Sequence, residues 1–227
     1  MLQRSQSEAL ASQEPRMQAQ RRLDQAEARD GFFARVKRSG VNRLARRNCT
    51  YEAWNDQSLA VKAAALLDPE DQVDIVILDP SAEGGMPHTR PGLICLPAYY
   101  PESKLKETLA HEMLHISQKR QPTLWASRAS IEGWSPVRQG IIPDFWSSRL
   151  RLNPDTFGTL YAWKERYVPL PVYIREDKPI LREIEVRWLD MSQGIVNTSP
   201  PASFTQVYGT LGHAQAEHPY ELWAYSK

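Results

Sequence analysis

One stretch of the chain places apolar residues at helical spacing. Between Ser103 and Lys119 these residues recur three and four positions apart, and charged residues fill many of the positions between them. This period predicts an amphipathic helix with Ser103 as its N-cap, and Pro122 predicts where the helix stops. The predicted apolar face comprises Leu105, Leu109, Met113 and Ile116.

Two apolar runs before this helix predict strands. Residues 73–78 are rich in β-branched side chains and end at Asp79-Pro80, and residues 92–97 are apolar and bounded by Gly and Pro, so both runs indicate buried strands. Residues 85–90 lie between them in a Gly- and Pro-rich stretch, which cannot form a regular central strand. Residues 51–67 predict a further helix.

The stretch 123–215 is rich in Trp, Tyr and Pro. Aromatic residues alternate with other residues over 160–174, and within 184–189 polar and apolar residues alternate as far as Trp188. An alternation of period two predicts strands or hairpins. We therefore expect an irregular, β-containing insertion over 123–215.

The charge is distributed unevenly along the chain. The first 47 residues hold eleven Lys and Arg against five Asp and Glu, a net charge of +6, whereas the whole chain carries +1. Large apolar residues are sparse there, so we expect a flexible or helical basic arm over 1–47, broken near Pro15, Gly31 and Gly40. Such an arm can bind nucleic acid or an acidic partner. The alternative is a solvated extension that packs loosely on the core.

Length and composition predict one enzyme-sized domain after this arm, over 48–227. A chain of 227 residues with 41% apolar content can bury a sizeable core. Because no apolar run approaches a membrane span and the N-terminus lacks a secretory pattern, we expect no membrane partner. Two cysteines, Cys49 and Cys95, are too few for a disulfide framework, so we expect an intracellular, cytoplasmic protein.

The predicted helix over 103–119 contains the sequence His111-Glu112-Met113-Leu114-His115. Residues four apart on an α-helix lie about 40° apart around its axis and roughly 6 Å apart along it, so both imidazoles leave the same face. One zinc ion can accept both nitrogens and keep positions for a third side chain and a water. We expect His111 and His115 to be zinc ligands and Glu112 to be the catalytic base. The alternative is a core helix whose histidines are only hydrogen-bonded.

A second patch, residues 217–225, predicts a short C-terminal helix with Pro219 in its first turn. With this patch and residues 73–121, the chain resembles the zincin metallopeptidases of the gluzincin type, in which a glutamate on a later helix completes a His, His, Glu zinc site. The resemblance implies an α+β, zincin-like fold: a small mixed sheet packed on the active-site helix, and a C-terminal helix carrying the third ligand, Glu221. It also implies one zinc ion per chain, and an edge at residues 85–90 along which a peptide substrate pairs.

The third ligand and its surroundings leave alternatives open. His218 lies three residues before Glu221 and can face the same way on one helix, although Pro219 favours a capping role for His218. Many gluzincins carry an aspartate shortly after the ligand glutamate to orient a histidine, and this chain has none there. Glu217 or Tyr225 can take its role.

These residues predict a zinc-dependent endopeptidase that hydrolyses a protein or peptide substrate through a metal-activated water, with Glu112 as general base. One alternative is a non-catalytic protein that zinc stabilises for a binding or structural role. Another is a protease that the basic arm over 1–47 tethers to nucleic acid. Three tyrosines are candidates to stabilise an oxyanion, with core packing as the alternative role of each: Tyr167, Tyr173 and Tyr208.

Overall fold

The structure is a computed structural model that describes residues 2–211 and 213–226, with side chains for all of these except residues 2–14, 139, 213 and 214. Helices and two small β-sheets confirm the predicted α+β class. The chain divides into two units. The first comprises the residues up to Phe33 together with Asn48–Ile116, and the second comprises Ala34–Arg47 together with the residues from Ser117 onwards.

The basic N-terminal stretch is helical. Helix α1 spans Leu2–Asp30, α2 spans Phe32–Arg38 and α3 spans Gly40–Ala45. The breaks predicted near Gly31 and Gly40 are confirmed, but the break predicted at Pro15 is wrong, because α1 continues through it. Proline inside a helix costs roughly 3 kcal/mol. Ala and Gln residues lie on both sides of this proline, and their high helix propensity offsets part of that cost.

The first unit contains a three-stranded mixed sheet. Strand β1 (Asp74–Leu78) pairs in parallel with β3 (Leu93–Pro97), and β2 (His88–Arg90) pairs antiparallel with β3, so the order is β1-β3-β2. The strands predicted over 73–78 and 92–97 are confirmed. The Gly- and Pro-rich stretch between them supplies an edge strand, in agreement with the expectation that it cannot be central.

Helices pack on both faces of this sheet. One face contacts α4 (Gln57–Ala64) and α5 (Glu102–Arg120) through Ile77, Ile94 and Leu96. The opposite face contacts α1, which contributes Leu23 and Ala26. The apolar face predicted for α5 is confirmed, since its residues in this core are Leu105, Leu109 and Ile116, with Met113 partly buried against them.

Helix α4 is shorter than the helix predicted over 51–67. It is capped by Asp56, whose side chain accepts a hydrogen bond from Leu59 N at 3.0 Å. The residues before it run beside β1 instead, and Trp54 N donates to Ile77 O at 2.8 Å. Backbone hydrogen bonds to the sheet therefore replace the first turns of the predicted helix.

The second unit contains a five-stranded antiparallel sheet in which each strand pairs with the next along the chain. Its strands are β4 (Trp134–Val137), β5 (Leu160–Trp163), β6 (Tyr167–Tyr173), β7 (Ile184–Asp190) and β8 (Ile195–Asn197). The strands predicted over 160–174 and 184–189 are confirmed as a β5–β6 hairpin and β7. The stretch 123–215 therefore contains a regular antiparallel sheet.

Along the chain, helices lie before, between and after these strands: α6 (Pro122–Ile131), α7 (Asp144–Ser147), α8 (Ala202–Tyr208) and α9 (Pro219–Tyr225). Phe204 of α8 packs among Trp134, Trp163 and Trp188, with ring centroids 4.7–6.0 Å apart. Much of the aromatic richness of the sequence is therefore used in packing within this unit. Among the described residues, none of the helices combines the length and apolar character needed to cross a membrane.

Candidate metal centre

Helix α5 presents two histidines beside its buried apolar face. Leu109 and Ile116 anchor the helix to the sheet and so fix its rotation. In that orientation His115 is fully buried and His111 is partly buried. Their Nε2 atoms lie 3.1 Å apart and their ring planes are inclined by 72°. The prediction that both imidazoles leave one face of a helix is confirmed.

The separation of 3.1 Å between the two Nε2 atoms fits two chemical arrangements. In one, a neutral imidazole donates its N–H to the unprotonated nitrogen of the other. In the other, both nitrogens face one cation. With Zn–N bonds of about 2.0–2.1 Å and tetrahedral angles, two ligand nitrogens lie about 3.3 Å apart. The pair can therefore bind one zinc ion with almost no rearrangement of α5.

Glu112 lies on the same helix and is 3% exposed. Carboxylates are seldom this buried, because removing a charge from water is costly. Consecutive residues on a helix are about 100° apart around its axis, so Glu112 projects to one side of the direction that the histidines share. That is the place expected for a group that exchanges a proton with a metal-bound water rather than binding the metal itself.

Helix α9 buries most of its residues, including a carboxylate. His218 is its N-cap and Pro219 occupies its first turn, as the sequence predicted. Glu221 is 5% exposed, and Trp223 is equally buried. The Trp223 ring packs on Trp125 of α6 with the ring centroids 5.3 Å apart. Apolar neighbours thus fix α9 in the interior and bring Glu221 with it.

The last turn of α5 contacts α9 within the second unit. Gln118 Nε2 donates to Tyr220 O at 3.2 Å. Gln118 follows His115 by three residues, so the two side chains leave the same side of α5, and Tyr220 directly precedes Glu221. One potential ligand atom from each of His111, His115 and Glu221 lies within 4.8 Å of the other two. These are the three residues that the sequence predicts as ligands.

Glu221 shares an amide donor with a second buried carboxylate. Asn153 Nδ2 donates to Glu221 Oε1 at 2.8 Å and to Glu217 Oε1 at 2.6 Å. Arg151 Nη1 donates to Glu217 Oε2 at 3.3 Å. Burial raises the pKa of Glu217 to about 7, opposed by the charge of Arg151 and assisted by that of Glu221. Glu217, one of two residues that the sequence offered as support for the site, is therefore linked to Glu221 through Asn153.

The alternative third ligand, His218, has another role. Its Nδ1 accepts a hydrogen bond from Tyr220 N at 3.1 Å, and its Nε2 lies 3.1 Å from Thr159 O, to which it can only donate. Both ring nitrogens are engaged in fixing the start of α9, so the capping role is confirmed. Tyr225, the other residue offered as support for the site, is 50% exposed.

The three tyrosines considered for oxyanion stabilisation have other partners. Tyr208 OH donates to a Glu132 oxygen at 3.1 Å, and burial raises the pKa of Tyr208 to about 12. Tyr173 OH donates to Asn42 Oδ1 at 3.0 Å. A guanidinium group lies 4.9 Å from the ring centroid of Tyr167. These contacts indicate packing and hydrogen-bonding roles for all three.

Arg151 and Asn153 belong to the candidate site, and the sequence did not single them out. They stand two residues apart in a segment without periodicity, followed by Pro154. The Asn-Pro pair is a turn signal, so a turn was predictable. The partners of its side chains are more than 60 residues away, and no local pattern identifies them.

Comparison of the chain with protein-family models, with curated proteins and with solved structures found no match.

Proposed function

We propose that this protein is a zinc-dependent endopeptidase with a zincin-like fold of the gluzincin type, acting on a protein or peptide substrate. The observation that carries this proposal is the grouping of His111, His115 and Glu221, whose ligand atoms all lie within 4.8 Å of one another. The buried Glu112 on the same helix as the two histidines adds the group that a purely structural zinc site does not need.

The donor set fits zinc. Two imidazole nitrogens and one carboxylate oxygen form the ligand set of a catalytic zinc site, in which a water takes the fourth position. The Nε2–Nε2 distance of 3.1 Å suits this geometry, and Asn153 orients the carboxylate of Glu221. When bound there, zinc lowers the pKa of its water toward neutrality and polarises the carbonyl of the substrate.

Glu112 performs the proton transfers. As general base it takes a proton from the attacking water, and as general acid it later gives that proton to the leaving amine. At 3% exposure its carboxylate is screened from bulk water, which strengthens its hydrogen bond to the reacting water. His111 and His115 would hold the metal through one ring nitrogen each, for which both imidazoles must be neutral.

The topology of the first unit supports the zincin-like arrangement. Strand β3 leads into α5, and β2 is the antiparallel edge strand beside β3. The resemblance to zincins implies that a peptide substrate aligns with the edge strand that precedes the active-site helix. Residues 85–90, which the resemblance implies as this edge, include β2 (His88–Arg90). The three residues of β2 are at most 3% exposed, so β2 itself is not the exposed edge that pairing with a substrate needs.

Glu112→Gln tests the proposal, with Glu107→Gln as its matched control. Glu107 lies on the same helix, is exposed, and undergoes the same chemical change. We expect the parent and both variants to bind about one zinc ion per chain, measured by elemental analysis. The Glu112 variant should lose hydrolysis of a denatured protein by at least the roughly 10²- to 10⁴-fold that a general base contributes. The Glu107 variant should retain it.

Three other outcomes have distinct meanings. Hydrolysis by the Glu112 variant at the rate of the parent shows that Glu112 is not the base. Zinc binding that His111→Ala and His115→Ala abolish, with no hydrolysis by the parent, supports the non-catalytic zinc-stabilised protein. Absence of zinc binding on titration of the parent overturns the metal centre and the enzyme together.

One observation favours nucleic acid as a second binding partner. Residues 34–47 contain six Lys and Arg and neither Asp nor Glu. Five of the six are exposed: Arg35, Lys37, Arg38, Arg43 and Arg47. A dense group of exposed cations attracts the phosphate backbone through counterion release. We propose that this stretch binds nucleic acid in the alternative function, that of a protease tethered to nucleic acid.

A further inference from the structure

Residues 150–155 form a segment, here called the Asn153 loop, whose first residues run along the edge of β6 before the chain bends at residue 154. Leu150 makes a bridge with Val172, and Arg151 N donates to Pro171 O at 2.8 Å. In extended backbone, the N–H and C=O groups of successive residues point to opposite sides of the chain. The polar backbone groups of Leu150 and Leu152 therefore face away from β6 and need partners elsewhere.

Helix α3 and its C-cap residue Arg46 supply those partners. Asn42 Nδ2 donates to Leu150 O at 2.7 Å, and Asn42 Oδ1 accepts from Leu152 N at 2.9 Å. Arg46 Nη2 donates to Leu152 O at 2.7 Å, and Arg46 Nη1 donates to Asn42 Oδ1 at 3.0 Å. Asn42 and Arg46 are 1% and 5% exposed. A side-chain amide that both donates and accepts thus takes the place of a neighbouring strand.

The orientation of the Asn153 amide is fixed from its other end. Asp155 N donates to Asn153 Oδ1 at 3.0 Å, so Nδ2 points away from the turn and toward the two glutamates. Lys119 Nζ, in the last turn of α5, donates to Asp155 O at 2.6 Å. The Asn153 loop is therefore attached to β6, to α3 and to the end of the helix that carries the histidines.

We propose that Asn153 positions Glu221 as a metal ligand, and that α3 holds the Asn153 loop in place for this purpose through Asn42 and Arg46. The inference rests on the proposed zinc site. Asn153 donates one hydrogen bond to Glu221 Oε1 and so sets the direction of the second carboxylate oxygen. It also donates to Glu217, which keeps two like charges at a fixed separation. The basic N-terminal stretch is thereby part of the metal centre.

Asn153→Ser and Asn42→Ala test this inference, with Asn197→Ala as control. A serine hydroxyl can still accept from Asp155 N and keep the turn, but it is too short to bridge the glutamates. Asn197 is exposed at the end of β8. We measure zinc affinity by competition with a chromophoric chelator, the visible spectrum of the Co²⁺-substituted protein, and unfolding of the metal-free protein in urea.

We expect Asn153→Ser to raise the zinc dissociation constant about 10- to 100-fold, the usual effect of removing a partner of a metal ligand, and to change the Co²⁺ spectrum. Asn42→Ala should raise the constant in the parent and add little in the Asn153→Ser background, because both act through one contact. Asn197→Ala should change neither. A purely stabilising role of Asn42 would alter urea unfolding without moving the affinity or spectrum of the folded protein.

The outcomes separate this inference from the proposed function. Parental zinc affinity in folded Asn153→Ser, with affinity lost in Glu221→Ala, overturns the inference and leaves the zinc site standing. Additive effects of the Asn42 and Asn153 substitutions overturn the role of α3. If Asn42→Ala does not fold, Asn42→Asp keeps the acceptor for Leu152 N and loses the donor to Leu150 O, and the same cycle is measured with it.

Discussion

The proposed third ligand can be tested by two substitutions at neighbouring positions of α9. Glu221 and His218 are both buried, and both lie near the start of the same short helix. In the structure, His218 caps the helix and Glu221 joins the group of potential ligand atoms. We therefore expect Glu221→Ala to lower metal affinity with little loss of stability, and His218→Ala to lower stability with little loss of metal affinity.

The stability lost in His218→Ala can be estimated from its contacts. Loss of an N-cap costs about 1 kcal/mol, and loss of the hydrogen bond to Thr159 O costs roughly 1 kcal/mol. The imidazole also packs edge-on against Tyr161 and Tyr220, with ring centroids 5.2 and 4.7 Å away, and such pairs contribute about 0.5–1.5 kcal/mol each. The sum of about 3–5 kcal/mol corresponds to a melting temperature lowered by roughly 6–20 °C in a chain of this size.

Glu221→Ala acts differently on the metal-free protein. It removes a hydrogen bond from Asn153 to a carboxylate, worth about 1.5–3 kcal/mol. It also removes the cost of burying that carboxylate, which is several kcal/mol for an ion in a protein interior. The two nearly cancel, so we expect metal-free stability within about 1 kcal/mol of the parent. Zinc affinity should fall by more than the roughly 10- to 100-fold that follows loss of an outer partner.

Zinc content, chelator competition and urea unfolding of the metal-free proteins are measured for both variants together. His218→Asn serves as control, because asparagine is a good N-cap residue and should recover part of the lost stability. The reasoning is refuted if His218→Ala loses zinc while Glu221→Ala retains it. That result moves the third ligand to His218 and leaves the His111 and His115 assignments intact.

Two further predictions concern other parts of the second unit. The hydrogen bonds from Arg166 hold the pKa of Asp190 well below its usual range. The ionised Asp190 therefore stabilises the fold fully above about pH 3.9, its pKa in the unfolded chain. This stabilisation is lost as the pH falls toward and through the pKa of Asp190 in the folded protein. Asp190→Asn should therefore unfold at lower urea concentration than the parent at pH 7, with a smaller difference at pH 3; a difference that is the same at both pH values contradicts this. The double variant Arg38→Glu, Arg43→Glu should weaken binding to a duplex DNA probe and reduce its salt dependence by about two counterions. Lys178→Glu, at an exposed position, should change neither. Unchanged DNA binding in the double variant contradicts the proposal that residues 34–47 tether the protein to nucleic acid.

The sequence predicted the half of the site that local geometry determines. The period of the apolar residues gives α5, and the four-residue spacing of His111 and His115 then fixes their relative direction, whatever the rest of the chain does. The capped start of α9 is equally local. Pro219 lacks a backbone N–H, and in the first turn of a helix that N–H would have no acceptor within the helix. Each of these features depends on one short run of consecutive residues.

The features that the sequence did not predict depend on distant partners. Asn42 contacts the Asn153 loop across more than 100 residues, and its local context predicts only a polar position in a basic arm. The residues before α4 show helical spacing but pair beside β1. In both cases a hydrogen bond to backbone elsewhere in the fold decides the structure, and sequence patterns contain no signal for it.

The charges around Glu221 provide an independent argument for a cation at this site. Glu217 and Glu221 are both buried and both accept hydrogen bonds from the amide of Asn153. The cation in this hydrogen-bond network is Arg151, which donates to Glu217. If both carboxylates were ionised, the network would have an excess of one negative charge, and an uncompensated buried charge costs several kcal/mol. Burial, assisted by the charge of Glu221, raises the pKa of Glu217 to about 7, so a proton on Glu217 offsets this excess in the metal-free protein, and a divalent cation bound by Glu221 would do the same. On our proposal, metal binding and folding would then stabilise each other through the same carboxylates, and the Asn153 loop would act in the metal centre although it contains none of the proposed ligands.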